Sequence, residues 1–269
     1  MTVDIGLMLN AGIGDLIMSR FTLDKINATN VYLSVSKDIS DKFRNKEHYD
    51  FVFELLPLIF DKPRYKISHN QNYPRLGWPS IVGRYGQEPE ITKLLSLCGT
   101  HTPFGGEYVV VFTKVRDYYE NFIDLVPLLF SALESLEIKI VIVGERIILP
   151  NREYSKPSIS SEIYSLYGGI PKSSNIIDMT YDDPIYDVDR FKRDCSILRD
   201  AKITINVGIG GNLCMSLALC NNTINLVKPP ELWPHNSLHS IFYRMLDRDS
   251  KHSLVYNVDS LLADLIEKI

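Results

Sequence analysis

Cysteine is scarce in this chain of 269 residues, and the four present, Cys98, Cys195, Cys214 and Cys220, form no C-x-x-C pair. Without such a pair, neither a zinc site nor a disulfide framework is expected. Cys214 and Cys220 fall in an apolar segment, where a free thiol acts as a small hydrophobe. Histidine is scarce as well. Only His235 and His239 share i, i+4 spacing; Pro234 precedes them and no H-E-x-x-H pattern surrounds them, so the histidines read as loop and surface residues. An excess of one charge is also lacking: 29 Lys and Arg against 33 Asp and Glu give a net charge of −4, with no long run of either sign. Nucleic-acid binding without sequence preference needs a concentrated basic face, so none is expected. No apolar run approaches the roughly 18 residues that span a bilayer. The opening MTVDIGLMLNAGIGDLIMSR has no basic n-region and carries Asp4 and Asp15 where a signal peptide is uninterrupted. The chain therefore reads as soluble and cytoplasmic. Hydrophobic residues at 45% and charged residues at 23% exclude long disorder, collagen and coiled coil.

What is present is a repeated alternation. Residues 3–9 form an apolar strand, 10–14 a glycine turn, 15–26 a helix and 31–35 a second strand. Residues 51–56 are a third strand candidate. Residues 68–90, rich in Asn, Pro and Gly with interleaved aromatics, read as a long irregular segment, and 91–97 as a short helix. The stretch THTPFGGE, residues 100–107, marks a boundary. Beyond it the alternation restarts, with strands at 108–112, 138–143, 175–178, 202–207 and 223–227 and helices at 123–136, 154–167, 189–199 and 213–220. A closing amphipathic helix at 259–269 takes Asp259 or Ser260 as its cap. Strand and helix in alternation imply parallel sheets covered on both faces. The expected fold is α/β, two Rossmann-like lobes at 1–104 and 105–269 with a cleft between them, the last helix being a candidate to cross back.

Two strand–glycine–helix junctions carry the chemistry, GIGD at 12–15 and GIGGN at 208–212. Glycine lets the backbone turn sharply off a strand and approach a ligand closely, while the N–H groups of the helix start favour an anion. The same glycines also serve a plain turn. A dinucleotide fingerprint needs glycine where Ile17 stands. No Gly-Lys-Ser/Thr follows either junction and no G-x-S-x-G occurs, which excludes a P-loop and a nucleophile elbow. Asp15, in the first turn of its helix, has two readings: a carboxylate that stabilises the helix dipole, or a general base facing the cleft.

The opening IGLMLNAGIGDLIMSRFTLDKI resembles the start of glycosyltransferases of B-type fold, particularly the ADP-heptose:lipopolysaccharide heptosyltransferase-like group. The stretches IKIVIVGER (138–146) and AKITINVGIGGNLCMSLALCNNTINLVKP (201–229) resemble that group's donor lobe; residues 36–107 are unmatched. The resemblance implies a hexosyl- or heptosyltransferase-like enzyme. It would move a sugar from a nucleotide-sugar donor to a hydroxyl of a glycan or small-molecule acceptor, with inversion and without a metal or other cofactor. Asp15 matches the catalytic base. Gly208, Gly210, Gly211 and Asn212 would lie against the donor diphosphate, Lys114 and Arg116 would neutralise it, Glu145 would accept from a ribose, and Lys228 would contact the same anion. Where relatives carry Asp-Ser/Thr-Gly and then His, this chain has Gly210, Gly211, Asn212 and Met215, so neither donor base nor sugar is named.

On the acceptor side, Asn10, Gly12 and Gly14 belong to the first junction. Tyr73, Trp78 and Tyr85 punctuate the irregular segment, where exposed rings would stack on sugars and Asn70, Gln71 and Arg75 would supply hydrogen bonds. Packing of that segment onto its own lobe is the other reading. Two further functions stay open. An NAD-dependent nucleotide-sugar epimerase or oxidoreductase lacks its Tyr-x-x-x-Lys pair and intact fingerprint here, and a degenerate, non-catalytic sugar-nucleotide-binding module accounts for the missing Asp-Ser-Gly and His.

Overall fold

Strand-forming runs and helix-forming segments resolve into two separate parallel sheets. The computed structural model describes residues 3–37, 46–100, 104–113, 125–144, 174–180, 187–207, 211–227, 240–241, 244–246 and 251–269. The first sheet holds β1 (Val3–Leu9), β2 (Ala28–Val35) and β3 (Tyr65–Ile67), in that order and all parallel. Its crossovers are α1 (Ile13–Leu23) and α2 (Lys46–Ile59). The second holds β4 (Tyr108–Thr113), β5 (Lys139–Gly144), β6 (Ile176–Asp178), β7 (Ile203–Val207), β8 (Thr223–Leu226) and β9 (His252–Val255). All five strand pairings are parallel, in the order β6-β5-β4-β7-β8-β9. The helices described with it are α4 (Leu125–Glu134), α5 (Val188–Asp200), α6 (Gly211–Leu219) and α7 (Val258–Lys268). Central strands are apolar without alternation because both faces are covered; Val109, Val110 and Val111 are all buried.

Counted in chain order, the second sheet runs 3-2-1-4-5-6, the doubly wound arrangement. Its direction reverses between β4 and β7, where the connections leave towards opposite sides and open a crevice at the carboxyl ends of the strands. A smaller reversal exists in the first sheet. Met8 N donates to Pro74 O at 3.0 Å and Leu76 N to Met8 O at 2.9 Å, so residues 74–76 bridge β1 on the edge away from β2.

Several sequence expectations are corrected. Residues 51–56 are helix, not strand: Phe51, Val52, Leu55, Leu56 and Ile59 are the buried face of α2, a helical period that a six-residue window cannot display. Residues 68–90 contain a helix, α3 (Trp78–Tyr85), with Gly77 before it and Gly86 at φ 65° as its left-handed terminator. The short helix at 91–97 shrinks to a 3-10 turn at Leu95–Leu97. The last helix is capped by Asn257, whose Oδ1 accepts from Ser260 N at 2.8 Å, rather than by Asp259 or Ser260. β9 was not expected. The helix expected at 154–167 lies outside the described residues.

One hydrophobic core runs through both sheets. α1 packs on α6, and Phe51 meets Phe191 edge-on with ring centroids 5.7 Å apart. The connection between sheets is strapped to the second one. Leu94 N donates to Ala218 O at 3.0 Å and Gly99 N to Lys192 O at 3.2 Å, while the Lys93 ammonium reaches the Leu217 and Cys220 carbonyls at the C-terminus of α6. A cation there complements the helix dipole.

The second sheet also buries a continuous polar chain. Ser216 Oγ donates to Asn206 Oδ1 (2.7 Å) and Asn206 Nδ2 to Asn225 Oδ1 (2.7 Å). Asn225 Nδ2 donates to Thr223 Oγ1 (3.0 Å) and to Ser253 O (2.8 Å), and Thr223 Oγ1 meets His252 Nδ1 at 3.0 Å. Thr223 Oγ1 thus joins the Asn225 amide to the His252 ring inside the sheet.

Candidate functional site

At the carboxyl end of β1 the chain turns through Asn10, Ala11 and Gly12 into α1. Gly12 is the N-cap at φ −86° and ψ 130°, and no side chain caps it, so the first turn turns bare backbone towards the strand ends. The turn is held from three directions. Arg75 Nε donates to Asn10 Oδ1 at 3.2 Å, His48 Nε2 lies 2.8 Å from Ala11 O, and buried Ser19 Oγ donates to the Asp15 carbonyl at 2.7 Å. Gly77 packs closely against the turn: a Cβ on it would stand 3.0 Å from Asn10 Nδ2. Asn10, Gly12, Gly14 and Asp15 are thus gathered at one place, with Asp15 half-buried.

The second junction lies at the reversal of the second sheet. Gly211 opens α6, and Asn212, at 1% exposure, sits across the ends of the two strands that flank the crevice. Its Nδ2 donates to Phe112 O of β4 at 3.3 Å and to Val207 O of β7 at 3.4 Å. The reverse amide orientation would set oxygen against two carbonyl oxygens, so the assignment follows from the partners. Asn212 Oδ1 is left buried with no partner, an acceptor beside a helix N-terminus.

The first turns of α1 and α6 lie near each other. α1 lies on α6, and the Asp15 carboxylate is close enough to act on Cys214: burial first, and then that negative charge, push the Cys214 thiol far above its usual range. Burial likewise raises Cys98 to about 11 and Cys220 to about 11. These cysteines stay protonated at neutral pH and none is an activated nucleophile.

The acceptor-side aromatics are redistributed. Trp78 is 5% exposed and belongs to the core, so it presents no ring to a sugar. Tyr73 is half-buried with its ring against β1; a Cβ on Gly6 would lie 2.7 Å from its Cδ1 and Cε1. Tyr85, half-buried, ends α3 beneath the Arg84 guanidinium at 5.8 Å. Gln71 is spent on the sheet edge, donating to Val35 O at 3.0 Å and accepting from Lys37 N at 3.1 Å. The rings that line the carboxyl edge of the first sheet are others. Tyr49 and Phe53 stack at 5.9 Å, Phe53 and His69 at 4.1 Å and 11°, and Lys37 Nζ stands 5.4 Å from the Tyr49 ring centre. Tyr49 and Phe53 are i, i+4 on α2, a spacing concealed by reading 51–56 as a strand. Burial and the neighbouring Asp50 raise the Tyr49 phenol, whose oxygen is buried without a partner.

Lys114, Arg116, Glu145, Gly208, Gly210 and Lys228 lie outside the described residues. Lys114 and Arg116 directly follow β4, and Gly208 and Gly210 directly follow β7, the two strands of the reversal. Among the described residues no three His, Cys, Asp or Glu are placed to hold a metal ion, and no helix is long and apolar enough to cross a membrane. A shallow hollow of about 330 Å³ at Glu107, Leu136, Glu137, Ile138 and Ile269 lies by the amino ends of β4 and β5, at the opposite edge from both junctions.

No protein-family model matches the chain, and no curated protein matches it. Among solved structures, it is similar to the Escherichia coli heptosyltransferase WaaC with ADP-2-deoxy-2-fluoro heptose: 10% identity over 98% of this chain and 100% of that one, TM-score 0.46. It is also similar to the glycosyltransferase SnogD from Streptomyces nogalater, at 11% identity over 95% of this chain and 87% of that one, TM-score 0.41. A third is the glycosyl transferase family 9 protein from Veillonella parvula, at 9% identity over 100% of this chain and 90% of that one, TM-score 0.41.

Proposed function

We propose that the chain is a glycosyltransferase that moves a sugar from a nucleotide-diphosphate donor on the second sheet to a hydroxyl acceptor on the first, with Asp15 as general base. The observation that carries this reading is the meeting of two carboxyl-end junctions: the Asp15 turn of α1 and the start of α6, which lies at the β4/β7 reversal. Doubly wound sheets bind ligands at such reversals.

Asp15 takes the proton of the acceptor hydroxyl, the freed oxygen attacks the anomeric carbon, and the bond from that carbon to the diphosphate oxygen breaks. One carboxylate and one displacement leave the sugar inverted. The departing diphosphate takes the electron pair, and its charge falls on the N–H groups at the start of α6, with Lys114 and Arg116 as cationic partners in place of a metal. Asn212 Oδ1, the orphan acceptor beside them, takes a donor hydrogen when the site is filled. The Tyr49–Phe53–His69 surface is the acceptor platform, with Lys37 at its margin. A dinucleotide reading is less well served, because TKVRDY at 113–118, after the first strand of the doubly wound sheet, contains no glycine.

Titration with ADP and UDP, followed by turnover on a panel of nucleotide sugars, tests the reading. Binding of either diphosphate at 100 times its Kd adds about 2.7 kcal/mol of stability. Asp15→Asn is expected to keep diphosphate binding and lose about 10²–10⁴-fold in kcat. Absence of diphosphate binding, or unchanged turnover in Asp15→Asn, refutes it.

A further inference from the structure

We infer that His48, on α2, is a positioning residue that sets the Asp15 turn; this rests on Asp15 acting as the base. The Ala11 carbonyl stands between the last ladder bond of β1, Ser36 N to Leu9 O at 2.9 Å, and the first bond of α1, Leu16 N to Gly12 O at 2.9 Å. It is a backbone acceptor at a place where ladder and helix both run out, and such a group needs a partner from elsewhere. His48 Nε2 provides one at 2.8 Å from 37 residues away.

The partner is a carbonyl, so Nε2 carries the hydrogen, in the neutral ring and in the cation alike; the bond therefore survives titration of the imidazole. The base of the bond is rigid. His48 lies in the first turn of α2, which is anchored by buried Phe51, Val52, Leu55, Leu56 and Ile59 and packs on α1. Gly12 has no side-chain cap of its own, which leaves the pitch of the first α1 turn to outside contacts. Arg75 on Asn10 holds one side of the turn and His48 on Ala11 the other. Four residues on, the Asp15 side chain inherits whatever tilt the turn adopts, and a misplacement of about 1 Å at a reacting group costs about 10²-fold in rate.

Two measurements on the full chain test this. Without any ligand, hydrogen exchange at the amides of Leu16–Ser19 is expected to rise about tenfold in His48→Ala, as a lost hydrogen bond allows local opening, and to stay within about threefold of the parent in His48→Gln, which returns an N–H to nearly the same reach. Exchange in β5 and β7 stays as in the parent. In transfer assays with an active nucleotide sugar, His48→Ala is expected to lower kcat about 10–100-fold with donor KM within about threefold, and His48→Gln to recover most of the loss. Unchanged exchange in His48→Ala, a Gln variant no better than Ala, or exchange that rises across both sheets overturns the proposal. Failure of the parent to transfer any sugar refutes glycosyl transfer instead, and the exchange result then decides by itself whether His48 holds the turn.

Discussion

Replacement of Asn212 by Asp changes one atom of a side chain wedged between two carbonyl oxygens, and its effect depends on pH in a way a surface change would not. In the parent, Nδ2 donates to Phe112 O and Val207 O at 3.3 and 3.4 Å from a position 1% exposed. A carboxylate there has no hydrogen to donate and faces both oxygens in a desolvated site, which raises the pKa of a buried acid by up to about 3–5 units. Each unit is worth about 1.4 kcal/mol. The start of α6 opposes this, but a helix N-terminus returns only about 0.3–1 kcal/mol, or about 2 in the best geometry. Desolvation therefore wins, by about 2–5 kcal/mol at pH 8. The sign follows from a folded pKa above the unfolded value of about 3.9: the variant keeps its stability below that value and loses it progressively as pH rises through the folded pKa. For a chain of this size, thermal melts should show a gap from the parent of about 5–20 °C at pH 8 that narrows to a few degrees at pH 4.5. ADP binding at pH 8 should be lost with it, since a fixed negative charge would occupy the anion site. An equal gap at both pH values would show that Asn212 is not enclosed between the strand ends.

Other perturbations address the first sheet. Asp24 is half-buried, which by itself would raise its pKa, but hydrogen bonds from Tyr65, Lys62 and Arg20 outweigh burial and leave it below its ordinary value. Its contribution is therefore present above about pH 4 and lost as pH falls through the lowered value. Asp24→Asn should cost about 1–3 kcal/mol at pH 7 in denaturant titrations and progressively less towards pH 3; a constant difference would remove the carboxylate from the account. Gly6→Ala drives a methyl into the Tyr73 ring and should cost about 1–3 kcal/mol, much of it recovered in the Gly6→Ala, Tyr73→Ala double variant. Strict additivity of the two changes would mean that ring and strand are not in contact.

Elements that announce themselves by uninterrupted β-branched runs, such as β4 and β7, were legible from sequence because a doubly covered strand needs no alternation. α2 was hidden by its own density of apolar residues. Over 51–56 it satisfies strand and helix templates equally, and only the addition of Ile59 and the polar turn before Phe51 decides. The composition that concealed α3, Gly77, Pro79 and Gly86, is in fact its start and stop punctuation. β9, with the sequence HSLV, is a strand because β8 offers it a ladder, which no local signal reports. Asp15 and Asn212 stand out in the sequence because glycines flag strand–helix junctions. His48 and Arg75 meet their partners across 37 and 65 residues, and that pairing is written nowhere in local pattern. For Trp78 the choice between packing and stacking fell to the structure, because sequence states an aromatic's type and not its exposure.

Asn206 and Asn225 stand opposite each other in the β7–β8 ladder, joined through the amides that link Ser216 to His252. A slip of one residue between these strands would leave the two amides on opposite faces of the sheet and break the Asn206–Asn225 bond that joins the chain across it. It would also carry the glycine junction about 3.3 Å along the strand axis, away from the Asp15 wall. The row of buried amides is thus an index mark: it costs the interior some oiliness, and in exchange it makes one height of the α6 threshold the only height at which the lobes can meet.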